Sequence, residues 1–165
     1  MRLFLVCTLL FASFILISGK YLSSETQELK YQRCYPPTDG FSIYNYSVTA
    51  LNGQQVIRFE AFKEKALLFV NVATYCKCAQ QQYTELNALK KFFGGEHFEI
   101  IAVPCNQFGK LEPSTKASEI LNGLKYVRPG NGFEPNFILT ERIDVNGDSG
   151  HMMYDFMKRS CPATR

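Results

Sequence analysis

The feature that most constrains the fold is a short apolar run, residues 66–73, that leads directly into Thr74-Tyr75-Cys76. Such a run is typical of a strand buried on both faces, and strands of this kind usually belong to parallel sheets. Open α/β sheets place their chemistry at the carboxyl ends of their strands. The position of Cys76 directly after the run therefore makes its thiol a candidate functional group.

The segment after Cys76 has the periodicity of a helix. Between positions 80 and 93, apolar residues recur at helical spacing at Tyr83, Leu86, Leu89 and Phe92. Cys76 is thus expected between the end of a strand and the start of a helix, where the helix dipole and free backbone N–H groups favour a thiolate. A reactive thiol and a buried structural cysteine both fit this segment.

The N-terminus indicates export. Met1-Arg2 precedes a mostly apolar, uncharged stretch, residues 3–17, and then the small residues Ser18-Gly19. This pattern predicts a signal peptide over residues 1–19 and a leader segment over residues 20–33. The stretch is short for a membrane span, so a retained anchor is the alternative. The chain is predicted to be secreted and extracellular, with no membrane association after cleavage.

Export changes how the six cysteines are interpreted. Cys7 would leave with the signal peptide, so an odd number remains in a compartment that favours disulfides. Cys34 and Cys161 could pair with each other, or Cys34 could bridge two chains. Cys105 follows a second apolar run and is expected to be packed in the core. Asn45 begins a glycosylation triplet, which matters only in a secreted protein.

Composition excludes some classes of function. A net charge of +3 and the absence of a Lys/Arg cluster argue against nucleic-acid binding. The two histidines, His97 and His151, are far apart in the sequence, and metal binding is not expected.

The remaining patterns predict an α/β domain with a hairpin at its start. Tyr44–Phe59 alternates around Asn52-Gly53, which predicts a hairpin with a type I′ turn. A strand at 98–103 follows the helix, giving a βαβ unit with parallel strands. Further predicted elements are a helix at 116–124, a loop at 126–135, strand pieces at 137–139 and 143–145, and a helix from 152 to 158.

Several motifs in order make the resemblance specific. Residues 34–163 resemble the glutathione peroxidase family, and most closely its secreted, plasma and epididymal type. The motifs that carry this resemblance are Asn71-Val72-Ala73-Thr74-Tyr75-Cys76, Tyr83-Thr84-Glu85-Leu86-Asn87, Pro104-Cys105-Asn106-Gln107-Phe108-Gly109-Lys110, Leu124-Lys125-Tyr126-Val127-Arg128-Pro129-Gly130, Pro135-Asn136-Phe137 and Asp144-Val145-Asn146-Gly147.

The resemblance implies a thioredoxin-like fold and a peroxidase that protects against oxidative stress. The Cys76 thiolate would reduce hydrogen peroxide or organic hydroperoxides and become a sulfenic acid, which two glutathione thiols would return to the thiol. Glutathione is then a co-substrate, and no cofactor is expected. The 126–135 loop resembles the loop that multimeric family members use to assemble, which implies a possible homo-oligomer.

The chain departs from the family at the groups that assist the sulfur. The family places a glutamine where this sequence has Leu111, and a leucine side chain cannot donate a hydrogen bond. Gln107 is nearby and is a candidate accessory residue, although the family treats it as a separate position. The family's tryptophan and asparagine have no counterpart before Arg165, so we expect a C-terminally truncated domain without the last strands and helix, and weak or absent activity.

A second departure is Cys78, two residues after Cys76. Cys78 could form a disulfide with Cys76 and create a site for thiol–disulfide exchange, with Lys77 favouring the thiolate by its charge. Alternatively, Cys78 faces away, because so tight a ring is strained. The reading contrasted with peroxidase activity is a non-catalytic, thioredoxin-like secreted protein that binds partners or senses thiols.

Overall fold

The structure is a computed structural model that describes residues 33–35 and 38–161. The predicted signal peptide (1–19) and nearly all of the predicted leader (20–33) lie outside the described residues. The described elements are β1 (Ser47–Thr49), β2 (Val56–Arg58), β3 (Ala66–Val72), α1 (Ala79–Phe93), β4 (Phe98–Pro104), α2 (Ala117–Asn122), β5 (Ile138–Leu139) and α3 (Met152–Ser160).

The sheet that carries the candidate site is parallel. Its described strands have the order β3-β4-β5, and α1 forms the connection between β3 and β4. Leu68 pairs with Ile100, and Ile101 pairs with Ile138. The carboxyl ends of β3 and β4 consequently meet at one edge. The predicted α/β class and the βαβ unit are confirmed.

The prediction that the first strand is buried on both faces is wrong. Within the described residues, β3 lies at the edge of the sheet and pairs only with β4, so most of its side chains are partly exposed. The strand buried on both faces is β4, whose residues Ile100–Val103 have no exposed surface. An apolar run shows that a strand packs well, but it does not show whether the strand has one neighbour or two.

The side chains of β4 alternate between two halves of the core. Ile100 and Ala102 pack with α1 and α2, where Tyr83 and Ile120 are buried. Ile101 and Val103 face the opposite side. There they pack with residues of the hairpin, the irregular segment before α3 and α3 itself, among them Val48, Phe59, Val145 and Met153.

The predicted hairpin is present, but its turn is not type I′. That turn needs positive φ at both central residues, and of Asn52 and Gly53 only Gly53 has it, with φ +71°. The Gly53 amide donates to the Ala50 carbonyl (2.8 Å), and the Ala50 amide donates to the Gln55 carbonyl (2.8 Å). The loop is therefore longer than a two-residue connection, with the glycine in the left-handed conformation.

Two other predicted elements differ. The segment 143–145 is not a strand: the Ile143 amide bonds the Pro104 carbonyl (3.0 Å), but the Val145 amide bonds the side chain of Gln107 (2.9 Å) instead of continuing a ladder. The helix predicted at 116–124 ends as α2 at Asn122 and continues as a π-helical turn over Gly123–Val127.

Cys34 and Cys161 form a disulfide, with their Cα atoms 4.4 Å apart. The bond joins the beginning of the described chain to the end of α3. Of the two pairings that the sequence left open, the structure therefore contains the intrachain one. Among the residues that the structure describes, no helix combines the length and apolar character needed to cross a membrane.

Candidate active site

Cys76 lies between the end of β3 and the start of α1, as the sequence predicts. The Cys76 amide donates to the Ala73 carbonyl (3.2 Å), and the Ala79 amide donates to the Cys76 carbonyl (3.1 Å). These two successive turns carry the chain from the strand into the helix. Cys76 is half-buried, while Lys77 and Cys78 are exposed.

The sulfur of Cys76 lies close to a backbone N–H group at the start of α1. The Cys78 amide points to the Cys76 sulfur at 3.4 Å, and Cys78 is the residue that caps the helix. The first N–H groups of a helix have no acceptor within the helix, and its dipole places partial positive charge there. Both effects stabilise a thiolate when Cys76 is reduced.

Cys76 and Cys78 form a disulfide in this structure, with Cα atoms 5.3 Å apart. That separation lies within the ordinary range for disulfides, about 4.4–6.8 Å. The alternative in which Cys78 faces away from Cys76 does not describe this conformation. Cys105 is the free cysteine among the described residues and is buried, as predicted.

A cavity of about 330 Å³ opens beside the two bonded cysteines. Most of its lining is apolar, and it includes Leu111 and Phe108 from the loop after β4. The sequence predicts that this loop holds polar groups beside the sulfur. The loop does reach the cavity, but Phe108 and Leu111, which it contributes there, are apolar, and the amide side chains in the described lining, Asn71 and Gln82, come from β3 and α1 instead.

The loop after β4 is tied firmly to the residues before Cys76. The Tyr75 amide donates to the Leu111 carbonyl at 3.1 Å. The buried Glu112 carboxylate accepts hydrogen bonds from the Thr74 amide (2.6 Å) and the Thr74 hydroxyl (2.7 Å). These bonds fix the position of Leu111 relative to Cys76.

Gln107 has a different role in the structure from the accessory role considered in the sequence. Its Oε1 atom accepts from the Val145 and Asn146 amides, both at 2.9 Å, and its Nε2 atom donates to the Asn146 carbonyl at 2.8 Å. Gln107 does not line the cavity beside Cys76. Its amide instead holds the segment before α3.

Three contacts around the site were not predicted from the sequence. The Arg128 guanidinium donates to the Tyr75 carbonyl at 3.1 Å, next to Cys76. Gly123 packs so closely on Thr74 that a Cβ atom would lie 2.7 Å from the Thr74 Cγ2 atom. The Tyr83 hydroxyl is buried without a hydrogen-bond partner, on a side chain that lines the cavity. These relationships join residues far apart in the chain, and no local pattern marks them.

The sequence matches the family model described as Glutathione peroxidase over residues 43–158. The chain belongs to the glutathione peroxidase family. It is 45% identical to the epididymal secretory glutathione peroxidase of Rattus norvegicus over 98% of this chain and 69% of that protein. It is also 45% identical to glutathione peroxidase 3 of Rattus norvegicus, over 91% of this chain and 65% of the relative.

Solved structures agree with this assignment. The apo structure of Trgpx is 25% identical and superimposes with a TM-score of 0.54, covering 75% of this chain and 68% of that one. The structure of T. cruzi GPX1 is 28% identical, with a TM-score of 0.51 over 72% of this chain and 65% of its own. The fold is therefore the thioredoxin-like fold of this family, and the chain is an oxidoreductase of the secreted type of glutathione peroxidase.

Proposed function

We propose that this chain reduces hydroperoxides through Cys76, with glutathione as the electron donor. The observation that carries the proposal is the position of the Cys76 sulfur. It is half-buried, it lies 3.4 Å from the Cys78 amide at the start of α1, and it lines a cavity large enough for a small hydroperoxide. Membership of the glutathione peroxidase family supports the same reaction.

The reaction needs the reduced form of Cys76. The thiolate attacks one peroxide oxygen, the O–O bond breaks, and the alkoxide or hydroxide leaves with a proton from solvent while the sulfur becomes a sulfenic acid. A first glutathione thiol displaces water and forms a mixed disulfide. A second glutathione releases the Cys76 thiolate and departs as glutathione disulfide.

The described cavity lining includes two amide side chains, Asn71 and Gln82, but the loop after β4 adds no polar side chain to it. Leu111, which stands where the family has a glutamine, lines the cavity with a side chain that has no N–H or O–H group. Positioned donors of that kind account for a large part of the rate in enzymes that stabilise a developing oxyanion. We therefore expect slow turnover, and the apolar lining favours an organic hydroperoxide over hydrogen peroxide.

Two cationic side chains near Cys76 could attract the carboxylates of glutathione. Lys77 is exposed and adjacent in sequence, and Arg128 contacts the Tyr75 carbonyl. Lys125, by contrast, is held 2.7 Å from Glu134 in an ion pair.

Assembly through the 126–135 loop remains a prediction, as does glycosylation at the exposed Asn45. The names of the relatives support secretion.

A non-catalytic, thiol-sensing role is the second candidate, and Leu111 is the observation that favours it. A glutathione reductase-coupled assay with hydrogen peroxide and tert-butyl hydroperoxide separates the two. We expect peroxide-dependent oxidation of glutathione by the wild-type chain that Cys76→Ser abolishes, with circular dichroism confirming that the variant folds. Equal rates for the two proteins would favour the non-catalytic role.

A further inference from the structure

We propose that Cys78 is the resolving residue for Cys76, so that oxidation by a peroxide ends in the Cys76–Cys78 disulfide. This inference rests on the proposed function, because it begins from the sulfenic acid of Cys76. The structure contains the bonded pair, and both side chains line the same cavity.

Cys78 is better placed for this role than any other described cysteine. Cys34 and Cys161 are already bonded to each other. Cys105 lines the cavity, but it is only 1% exposed, and its sulfur lies 3.9 Å from the Gln107 Oε1 atom on the side of the segment before α3. Cys78 is exposed and only two residues from Cys76, so its thiol reaches the sulfenic acid without rearrangement of the core.

The step balances without another oxidant. The Cys78 thiol attacks the sulfur of the Cys76 sulfenic acid, a sulfur–sulfur bond forms, the sulfur–oxygen bond breaks, and the hydroxyl leaves as water with the thiol proton. One hydroperoxide has then accepted two electrons from the two cysteines. The bond also protects Cys76, because a sulfenic acid that persists can be oxidised further to the sulfinic acid.

Exposure and leaving-group stability determine how the disulfide is reduced. An incoming thiolate meets the exposed Cys78 sulfur first. The group expelled is then the Cys76 thiolate, which the start of α1 stabilises, and a thiol of lower pKa leaves faster. The Cys76 thiolate can attack the mixed disulfide on Cys78, expel the reductant and restore the Cys76–Cys78 bond. A reductant that carries a second thiol can complete the reduction before this happens. Glutathione is therefore the slower of two reductants, and a dithiol, for which release is intramolecular, is the faster one.

Trypsin provides a direct test, because Lys77 separates the two cysteines. The tryptic peptides 66–77, 78–90 and 92–110 contain Cys76, Cys78 and Cys105 respectively, and no other cysteine. Fully reduced wild type and Cys78→Ser are each treated with one equivalent of tert-butyl hydroperoxide in the presence of dimedone, which traps sulfenic acids. Mass spectrometry then reports linked and trapped peptides.

We expect the wild type to give the linked pair 66–77 and 78–90 with little dimedone on Cys76, and Cys78→Ser to give at least about a tenfold higher dimedone yield. Equal trapping in the two proteins, or a link to 92–110, overturns the role of Cys78 and leaves the peroxidase intact. If Cys76 is neither linked nor trapped in either protein, the proposed function fails as well. The wild-type linkage alone decides the inference if Cys78→Ser does not fold.

The choice of reductant gives a second readout. At equal total thiol, we expect dithiothreitol to support wild-type turnover at least about tenfold faster than glutathione, and this ratio to fall to a few-fold in Cys78→Ser. A ratio that is the same in both proteins contradicts a resolving role for Cys78.

Discussion

The amide of Tyr75 donates a hydrogen bond to the carbonyl of Leu111 at 3.1 Å. This bond joins the residue before the candidate catalytic sulfur to the residue whose side chain most alters the chemistry of the cavity. Because it uses only backbone atoms, a substitution of Leu111 can change the side chain without moving the loop.

Leu111→Gln is expected to raise the rate of peroxide reduction. The side chain is 37% exposed and lines the cavity beside Cys76, so an amide fits there and can donate to the leaving oxygen. A charge-assisted hydrogen bond of about 1.5 kcal/mol corresponds to roughly tenfold in rate. Stopped-flow measurement of peroxide consumption by the reduced protein provides the rate constant.

Leu111→Met is the matched control, because it keeps the volume and adds no N–H donor. Its rate should remain close to that of the wild type. If both variants accelerate the reaction equally, the absence of a donor is not what limits the wild type.

Gly123→Ala is expected to destabilise the fold by about 1–3 kcal/mol. Gly123 has helical φ and ψ angles, so alanine suits the backbone, but the new Cβ would lie 2.7 Å from the Thr74 Cγ2 atom. Thr74 cannot turn away easily, because its hydroxyl is bonded to buried Glu112. Urea denaturation measures the change.

Thr74→Ser supplies the rescue for that substitution. Serine keeps the hydroxyl that bonds Glu112 and lacks the methyl group that the alanine meets. The double variant should regain most of the stability that Gly123→Ala loses relative to its parent. Failure of the rescue would assign the loss to something other than this contact.

Loss of the Cys34–Cys161 disulfide should lower the free energy of unfolding by about 2–4 kcal/mol. The bond closes a loop with a sequence separation of 127 residues, so it strongly restricts the unfolded chain. Cys34→Ser and the Cys34→Ser/Cys161→Ser double variant should lose the same amount. A disulfide-linked dimer of the wild type on a non-reducing gel would instead favour the interchain bridge.

Tyr83→Phe tests a buried hydroxyl that has no partner. Burial, with the charge of Glu112 as a second cause, raises the pKa of Tyr83 well above its ordinary value of 10.0. The unfolded phenol therefore ionises first as the pH rises. The contribution of the Tyr83 ionisation equilibrium to the free energy of unfolding is therefore fully present below pH 10 and is lost progressively above it.

The variant should therefore lose less stability than the wild type between about pH 8 and pH 11, measured by urea midpoints. Some loss of stability at alkaline pH should remain in the variant, because burial also raises the pKa of Tyr154. At neutral pH the variant should be as stable as the wild type or more stable by about 1 kcal/mol, because an unpaired buried hydroxyl costs free energy. A marked loss at neutral pH would mean that the hydroxyl has a partner.

The sequence predicted the fold better than it predicted the site. Apolar runs and helical spacing located β3, α1 and β4 to within a residue or two at most boundaries, because these signals are local. The same signals could not show that β3 is an edge strand, since the number of neighbours of a strand depends on the whole sheet.

The site was predicted only in part. Parallel strands brought Cys76 and the loop after β4 to the same sheet edge, as expected. The direction of each side chain in that loop was not predictable, because it depends on contacts over long sequence distances. Gln107 bonds Val145 and Asn146 nearly forty residues later, and Leu111 rather than a polar group reaches the cavity.

The central claim is that the sulfur of Cys76 reacts with hydroperoxide. It is tested most directly by adding excess tert-butyl hydroperoxide to fully reduced protein without any thiol donor and counting the peroxide consumed in a single turnover. We predict that the wild type and Cys78→Ser each reduce one equivalent in the initial rapid phase, whereas Cys76→Ser shows no such phase above the buffer rate. Rapid consumption by Cys76→Ser, or none by the wild type, would contradict the account.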